Sequence, residues 1–286
     1  MHVLFPKLHP KGYTVPELPE VETVVRVIRP RIEGLRIRSI RRLNGTASLF
    51  NGATEAQLNR LVKNQRIRAV TRRGKYIVLE LERGVLLIHL RMTGRLLFRK
   101  GPDDPERHFT ARIDFQNQAS LWFRDMRKFG RITYCSDREN WEGRLGPEPL
   151  SDQFTLDWLR GELKRRHRKM KALLLDQSFL AGLGNIYVDE VLWAARIHPE
   201  TLSHRVSQSK AAALHRAIRS ILQASIDHQG TTIINFAFGE GKTGNFRSLL
   251  QVFGRTGKPC PRCGTAIKKV RVNQRGTHFC PVCQKR

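Results

Sequence analysis

A chain of 286 residues with 52 Lys and Arg against 25 Asp and Glu carries a formal charge of +27, far more than solubility needs, and the excess predicts a polyanionic partner. No run of about 18 apolar residues occurs, which excludes a bilayer-spanning helix, and a hydrophobic content of 40% excludes disorder as the default state. The cations are spread through both halves without a basic amphipathic face, so nucleic acid is favoured over an anionic membrane surface.

Residues 1–15 hold Pro6, Pro10, Lys7, Lys11 and Gly12 with no continuous apolar stretch, so they do not read as a secretory signal. The segment Pro16-Glu17-Leu18-Pro19-Glu20-Val21-Glu22-Thr23 follows, with a proline and a carboxylate just ahead of an apolar helix. Within a chain a proline nitrogen is a tertiary amide. As a first residue it is a secondary amine that can attack a sugar carbon.

Val21, Val24, Val25, Ile28 and Ile32 recur at helical spacing and Gly34 can stop the helix, which predicts one helix over 18–33. Short β-type segments then run at 35–43, 66–71, 75–81, 85–90, 111–115, 121–123 and 131–134, interrupted by a helix at 54–62. That pattern predicts a β-sandwich with the first helix laid against it. Gly74-Lys75-Tyr76 opens one strand and His89 ends another beside Arg91. From these residues alone a solvated lysine and a core or edge histidine are favoured over a functional role. The mixture Asp125-Met126-Arg127-Lys128-Phe129-Gly130 fits a wedge into a base stack, or sandwich core at Phe129.

Gly146-Pro147-Glu148-Pro149 marks a linker, after which helices are expected at 155–165, 168–177, 185–195 and 208–227. Gly182-Leu183-Gly184-Asn185 is a tight turn into a helix that would aim backbone N–H groups at an anion, although an ordinary helical corner also uses glycines. Near the C-terminus Cys260-x2-Cys263-x16-Cys280-x2-Cys283 has the spacing of a tetrahedral four-thiolate Zn²⁺ site with no open position. Its role is to fold a short tail and support a basic hairpin with Lys268, Lys269, Arg271 and Arg275. The fifth cysteine, Cys135, reads as a small buried apolar residue.

Taken in order, these motifs resemble bacterial formamidopyrimidine-DNA glycosylases, from Pro16 to Arg286. The resemblance rests on Pro16–Thr23, the Lys75 strand, His89-Leu-Arg-Met92-Thr-Gly, Asp125-x-Arg127-x-Phe129-Gly, Gly146-Pro-Glu-Pro-Leu-Ser, Gly182-x-Gly-Asn185-Ile-Tyr-x-x-Glu190, Ile197-His-Pro, Gly230-Thr-Thr and the cysteine quartet. It implies a mixed α+β multidomain fold: a catalytic β-sandwich with a leading helix at 16–136, a linker at 137–151 and a helix-two-turn-helix domain at 152–235. A lesion-capping loop at 236–249 and a zinc-finger β-hairpin at 250–286 complete it. It also implies one structural zinc, no organic cofactor, duplex DNA with oxidised bases or abasic sites as partner, no membrane, a monomer and a bacterial cytoplasmic location.

The same resemblance assigns Pro16 as nucleophile at C1′, Glu17 as acid, and Lys75 and Arg275 to the elimination steps, or else only to phosphate grip. His89, His108, Arg127, Arg166, Lys171 and Asn185 would contact DNA. Met92, Arg127 and Phe129 would fill the stack vacated when the base is flipped out. Glu20 and Glu190 would support the site as nearby carboxylates or pair with arginines.

One departure and one branch comparison bear on this. The family's proline is the first residue, and here fifteen precede it. An upstream start, a removed leader or a lost nucleophile would each account for this. The first is favoured because Val15 precedes Pro16 and a valine codon can initiate, giving a product of 271 residues and charge +25. A retained leader would leave a non-catalytic binder of damaged DNA. The related endonuclease VIII branch, for oxidised pyrimidines, typically begins Pro-Glu-Gly-Pro-Glu, and Leu18 favours the purine branch.

Overall fold

The computed structural model describes residues 15–101, 108–231 and 245–286. The first helix, α1 (Leu18–Ile32), has Glu17 as its N-cap, and the Glu20 carboxylate accepts the Glu17 N–H at 3.0 Å, so one of the helix's orphan donors is met by a side chain three residues on. Its Val21, Val24, Val25, Ile28 and Ile32 face is buried against the sandwich.

The sandwich is built from β1 (Ile37–Arg42), α2 (Glu55–Val62), β2 (Ile67–Arg73), β3 (Tyr76–Leu81), β4 (Val85–His89), β5 (Arg95–Lys100), β6 (Phe109–Phe115), β7 (Ala119–Arg124) and β8 (Arg131–Cys135). Two four-stranded antiparallel sheets, in the orders β1-β6-β7-β5 and β2-β3-β4-β8, enclose one apolar core. Strand β5 is missing from the sequence reading because its three apolar residues, Leu96, Leu97 and Phe98, run together between cations without alternation. Cys135 is half-buried at the end of β8, its thiol on the Asp137 carbonyl at 3.0 Å, and not in the core as expected.

A short helix, α3 (Arg138–Glu142), leads to the helical half: α4 (Leu156–Arg165), α5 (Met170–Leu175), α6 (Asn185–Ala194) and α7 (Gln208–Asp227). These bury a second core, and Leu18 of α1 belongs to it, so the first turn of α1 joins the two halves. The hairpin β9 (Lys268–Val272) and β10 (Arg275–Phe279) closes the chain. The register places one end of β2, β3, β4 and β8 together, at Arg73, Tyr76, His89 and Arg131, and this end faces the helical half. No helix among the described residues is long and apolar enough to cross a membrane.

Candidate active site and nucleic-acid cleft

The glycine turn ahead of α6 does bind an anion, and the anion belongs to the chain itself. The Glu17 carboxylate accepts the backbone N–H groups of Gly184 at 2.6 Å, Ile186 at 2.9 Å and Tyr187 at 3.4 Å. A helix N-terminus offers unpaired donors and partial positive charge, so a carboxylate satisfies it as a phosphate would. Position 184 must be glycine for this: a Cβ there would lie 2.4 Å from the Glu17 Cδ.

Burial nevertheless dominates the ionisation of Glu17. It is 2% exposed, and removal from water together with the neighbouring Glu20 carboxylate outweighs the Lys75 ammonium and the Ile186 and Tyr187 N–H groups, pushing its pKa up to about 7. Lys75 moves the other way. Burial holds its ammonium below the ordinary lysine range, and Glu17 and Glu20 only partly offset that, with Arg275 and Arg91 adding to the depression. The two side chains are therefore drawn toward one another in proton affinity.

Glu20 holds this arrangement from behind. Its Oε1 accepts the Tyr187 hydroxyl at 2.7 Å, the Thr231 hydroxyl at 2.9 Å and the Thr231 N–H at 2.8 Å, and Tyr187 in turn lies 2.5 Å from the Ser225 Oγ. Gly230, at φ +83°, passes so close that a Cβ would come within 2.8 Å of Glu20 Oε1. The Glu20 partners are thus a phenol, a hydroxyl and main-chain amides, not arginine.

In front of Glu17 a cavity of about 920 Å³ opens, lined by Val15, Lys75, His89, Asn185 and Arg275 among others. His89 is buried, and burial with Arg91, Lys75 and Arg131 pushes its pKa down to about 3, so it is neutral at physiological pH. Its Nδ1 accepts the Arg91 N–H at 3.0 Å, which leaves Nε2 as the N–H donor. Asn185 donates to the Gly276 carbonyl at 3.0 Å, while its Oδ1 is buried without a partner. Arg275 is exposed on the hairpin across the cavity.

The far rim carries Met92 and Phe129. Asp125 organises this turn, accepting from the Gly130 N–H at 2.7 Å, the Arg127 N–H at 3.2 Å and the Thr93 hydroxyl. Outside that frame Phe129 is 45% exposed and so is not sandwich core. The Arg127 guanidinium lies 4.8 Å from the Phe129 ring centroid and 3.0 Å from the Met92 sulfur, which makes one cluster of the three residues.

Other predicted residues separate. His108 is half-buried beside the wedge turn, its carbonyl accepting from Asp125 at 2.9 Å. Arg166 follows α4 and pairs with Glu162 at 3.0 Å. Lys171 is corrected outright: it is fully buried, its Nζ 2.5 Å from Asp189, so no phosphate can reach it. Asp189 also accepts the His278 N–H at 2.8 Å, so Lys171 and Asp189 tie the hairpin to the helical half. Glu190 is corrected too. It is buried outside the cavity lining and accepts the N–H groups of Gln251, Val252 and Phe253 at 2.8–2.9 Å, anchoring the segment that leads into the zinc tail.

The sequence reading missed Tyr187, Asp125 and Asp189 as organising groups, and Arg91, Arg131 and Gln274 on the cavity wall. Arg91 had one signal, its place next to His89 at a strand end. Asp125 and Tyr187 stood inside the quoted motifs without a role, and Asp189, Arg131 and Gln274 had no signal, since their roles depend on partners far away in the chain. The expected capping loop at 236–249 lies largely outside the described residues.

The four cysteine sulfurs lie within 4.8 Å of one another, with Cys260 to Cys283 at 4.0 Å and Cys263 to Cys280 at 3.4 Å. Zn–S bonds of ~2.3 Å at tetrahedral angles require sulfurs ~3.8 Å apart, so the set fits one structural Zn²⁺. The Trp193 Nε1–H points at the Cys260 sulfur at 3.4 Å, an outer-shell donor that orients the thiolate.

Family models match three stretches: the N-terminal domain of formamidopyrimidine-DNA glycosylase over 15–132, its H2TH domain over 145–237, and a zinc finger found in FPG and IleRS over 257–286. The formamidopyrimidine-DNA glycosylase of Pelotomaculum thermopropionicum is 45% identical over 95% of this chain and 99% of its own length. That of Herpetosiphon aurantiacus is 42% identical over 94% and 100%. Among solved structures, Lactococcus lactis Fpg bound non-covalently to DNA with an AP site superposes with a TM-score of 0.86 at 38% identity, covering 94% of this chain and all of that one. The same enzyme with DNA containing N7-benzyl-Fapy-dG gives 0.85 at 39%, covering 95% and 100%.

Proposed function

The chain belongs to the formamidopyrimidine-DNA glycosylase family and is a DNA glycosylase of base excision repair, and from that premise we propose that it excises oxidised purines from duplex DNA and then cleaves the abasic strand. The observation that carries this reading is the buried Glu17 carboxylate, with a pKa of about 7, on the wall of the cavity it shares with Lys75 and next in the chain to the half-buried Pro16.

In this reading Pro16 is the first residue of the working protein and its neutral amine bonds C1′ of the flipped nucleotide. The bond from C1′ to the base breaks and its electron pair leaves with the base. Opening of the sugar at C1′–O4′ then gives an iminium as the amine gives up its proton, and O4′ takes a proton from Glu17. A carboxyl group with a pKa near ambient pH is suited to that transfer. The iminium acidifies C2′–H, whose loss expels the 3′ phosphate, and a second elimination expels the 5′ phosphate. Lys75 and Arg275 flank these steps, with His89 and Asn185 gripping the adjoining phosphates through N–H groups.

Met92, Arg127 and Phe129 fill the vacated stack, with Arg127 bonding the orphaned base. Residues 16–136 supply the catalytic half and 152–235 with 250–286 the other DNA-gripping half. The protein works as a monomer on chromosomal DNA in the bacterial cytoplasm. Borohydride reduction on an 8-oxoguanine duplex tests the reading: a covalent protein–DNA adduct whose peptide begins at Pro16 is expected. No adduct from active protein, or an adduct at Lys75, would overturn it. A thymine-glycol duplex turned over faster would move the substrate to oxidised pyrimidines.

A further inference from the structure

Strands β1 and β2 form the edges of the two sheets, and each carries one bulge, between Ile37 and Ser39 and between Ile67 and Ala69. The extra residue is an arginine in both cases, Arg38 and Arg68, and both are exposed. A bulge removes its residue from the ladder and re-aims the side chain. The edges meet at an antiparallel bridge between Arg36 and Arg66, also exposed, so the four arginines all lie within two residues of that bridge. Arg36 is held by the Asn64 carbonyl at 2.7 Å and Arg66 by the Gly34 carbonyl at 3.1 Å.

The acidic groups nearby neutralise only Arg36 among the four. Glu82 pairs with Arg36 at 3.3 Å and feels Arg68 only at longer range, and Glu33 is taken up by the Val70 N–H and by Arg29. Arg38 and Arg68 have no ion pair among the described residues. A surface that needed only solubility would intersperse charges of both signs.

This cluster stands apart from the cleft. Helix α1 runs from Glu17 at the cavity to Glu33 beside the cluster, and its 15 residues at ~1.5 Å each span ~22 Å. Strand β2 spans a similar distance, since its 7 residues at ~3.3 Å lead from Arg66 to the Gly74-Lys75 turn. Duplex DNA has a persistence length of about 150 bp, so a short duplex seated in the cleft cannot bend round to the opposite pole.

We propose that Arg36, Arg38, Arg66 and Arg68 form a second, non-catalytic duplex-binding surface at the pole of the sandwich remote from the cleft, which takes the phosphate backbone of a second DNA segment. Guanidinium forks pair with phosphate oxygens in two-point contacts, and the two bulged edge strands expose all four arginines to solvent. With both surfaces occupied, the enzyme passes between DNA segments without full release. The inference takes duplex DNA in the cleft from the functional reading above.

The test compares the wild-type protein with an Arg38→Gln/Arg68→Gln variant, using a labelled lesion duplex of about 15 bp (~50 Å at 3.4 Å per step) and unlabelled undamaged duplex as competitor. Expected for the wild type is dissociation from the labelled duplex that quickens as competitor rises, and binding of a second duplex in sedimentation at low salt. In the variant the competitor dependence should vanish and the salt slope for the second duplex should fall by about 2, near 0.9 per lost phosphate contact. Single-turnover excision should stay within about twofold, since exposed substitutions away from the site change little.

Competitor dependence unchanged in the variant, or absent from the wild type, would overturn the proposal. So would a variant that merely self-associates, which would make the arginines edge protection. Equal loss of excision would place them in the catalytic grip, and stronger competition by polyglutamate than by DNA would make the partner an acidic protein. Failure of excision in both proteins would strike the functional reading instead.

Discussion

At the start of α1, Glu17 and Glu20 are 2% and 1% exposed and accept six protein hydrogen bonds from groups beyond their own helix, whereas at the turn across the cleft Met126 and Phe129 are 40% and 45% exposed and only the backbone is tied down. The first region is a finished polar interior. Its donors and acceptors are already in place, so no reorganisation is needed when charge develops there. The second is a prepared surface whose apolar and cationic groups touch one another and stay exposed, with a face left for something flat and polarisable. The contrast separates chemistry, which is set before DNA arrives, from recognition, which DNA completes.

Glu17→Gln should show the largest effect. Replacing the acid with an isosteric amide removes the proton donor, and single-turnover excision and borohydride trapping are expected to fall about 10²–10⁴-fold while lesion binding persists. A variant that retains activity would break the assignment of chemistry to this region. Chelating the zinc comes next. Loss of the tetrathiolate frees the hairpin that presents Arg275, so strand cleavage should disappear and the far-UV spectrum of the rest should be kept.

Tyr187→Phe attacks the polar interior without touching the cavity. It removes a donor from Glu20 and leaves Ser225 short of a partner, and urea denaturation should show a loss of about 1–3 kcal/mol. Phe129→Ala sharpens the other side. Its stability should change by less than about 0.5 kcal/mol, as for other exposed positions, while binding to lesion duplex weakens by about 1–3 kcal/mol through lost stacking. Equal losses in both measurements would mean that the wedge is part of the core after all.

The smallest effect is the pH dependence of stability. The pKa of Glu17 is raised from 4.5 to about 7 on folding, so the folded state binds its proton more tightly. That contribution is present below pH 4.5 and is lost as pH rises through about 7. His89, depressed from 6.5 to about 3, acts with the opposite sign and destabilises the fold as pH falls through that window. Thermal melts from pH 5 to 8 should therefore decline more for the wild type than for Glu17→Gln. Parallel curves would sink the assignment.

Much of this was legible in the sequence, and the reason is locality. The helices at 18–32, 55–62, 156–165 and 208–227 announce themselves by apolar spacing and by caps a few residues away, as Thr54, Thr155 and Ser207 do. The zinc site depends only on two pairs of cysteines on tight turns. The Gly182–Asn185 turn was readable as an anion site, but the anion was not. Glu17 and Gly184 are 167 residues apart, and nothing in either stretch names the other.

What the sequence determined by itself is the set of elements, the metal ligands and the family pattern, because each is written in residues close together in the chain. Tertiary structure alone decided which charges are spent inside. Lys171 and Glu190 look like surface ions and prove to be buried anchors, while Glu17 is pressed against a helix terminus whose N–H groups do not offset the cost of its burial. The physical reason is that desolvation and hydrogen-bond partnership are properties of a place in the fold, and a residue's place is set by packing between segments distant in sequence.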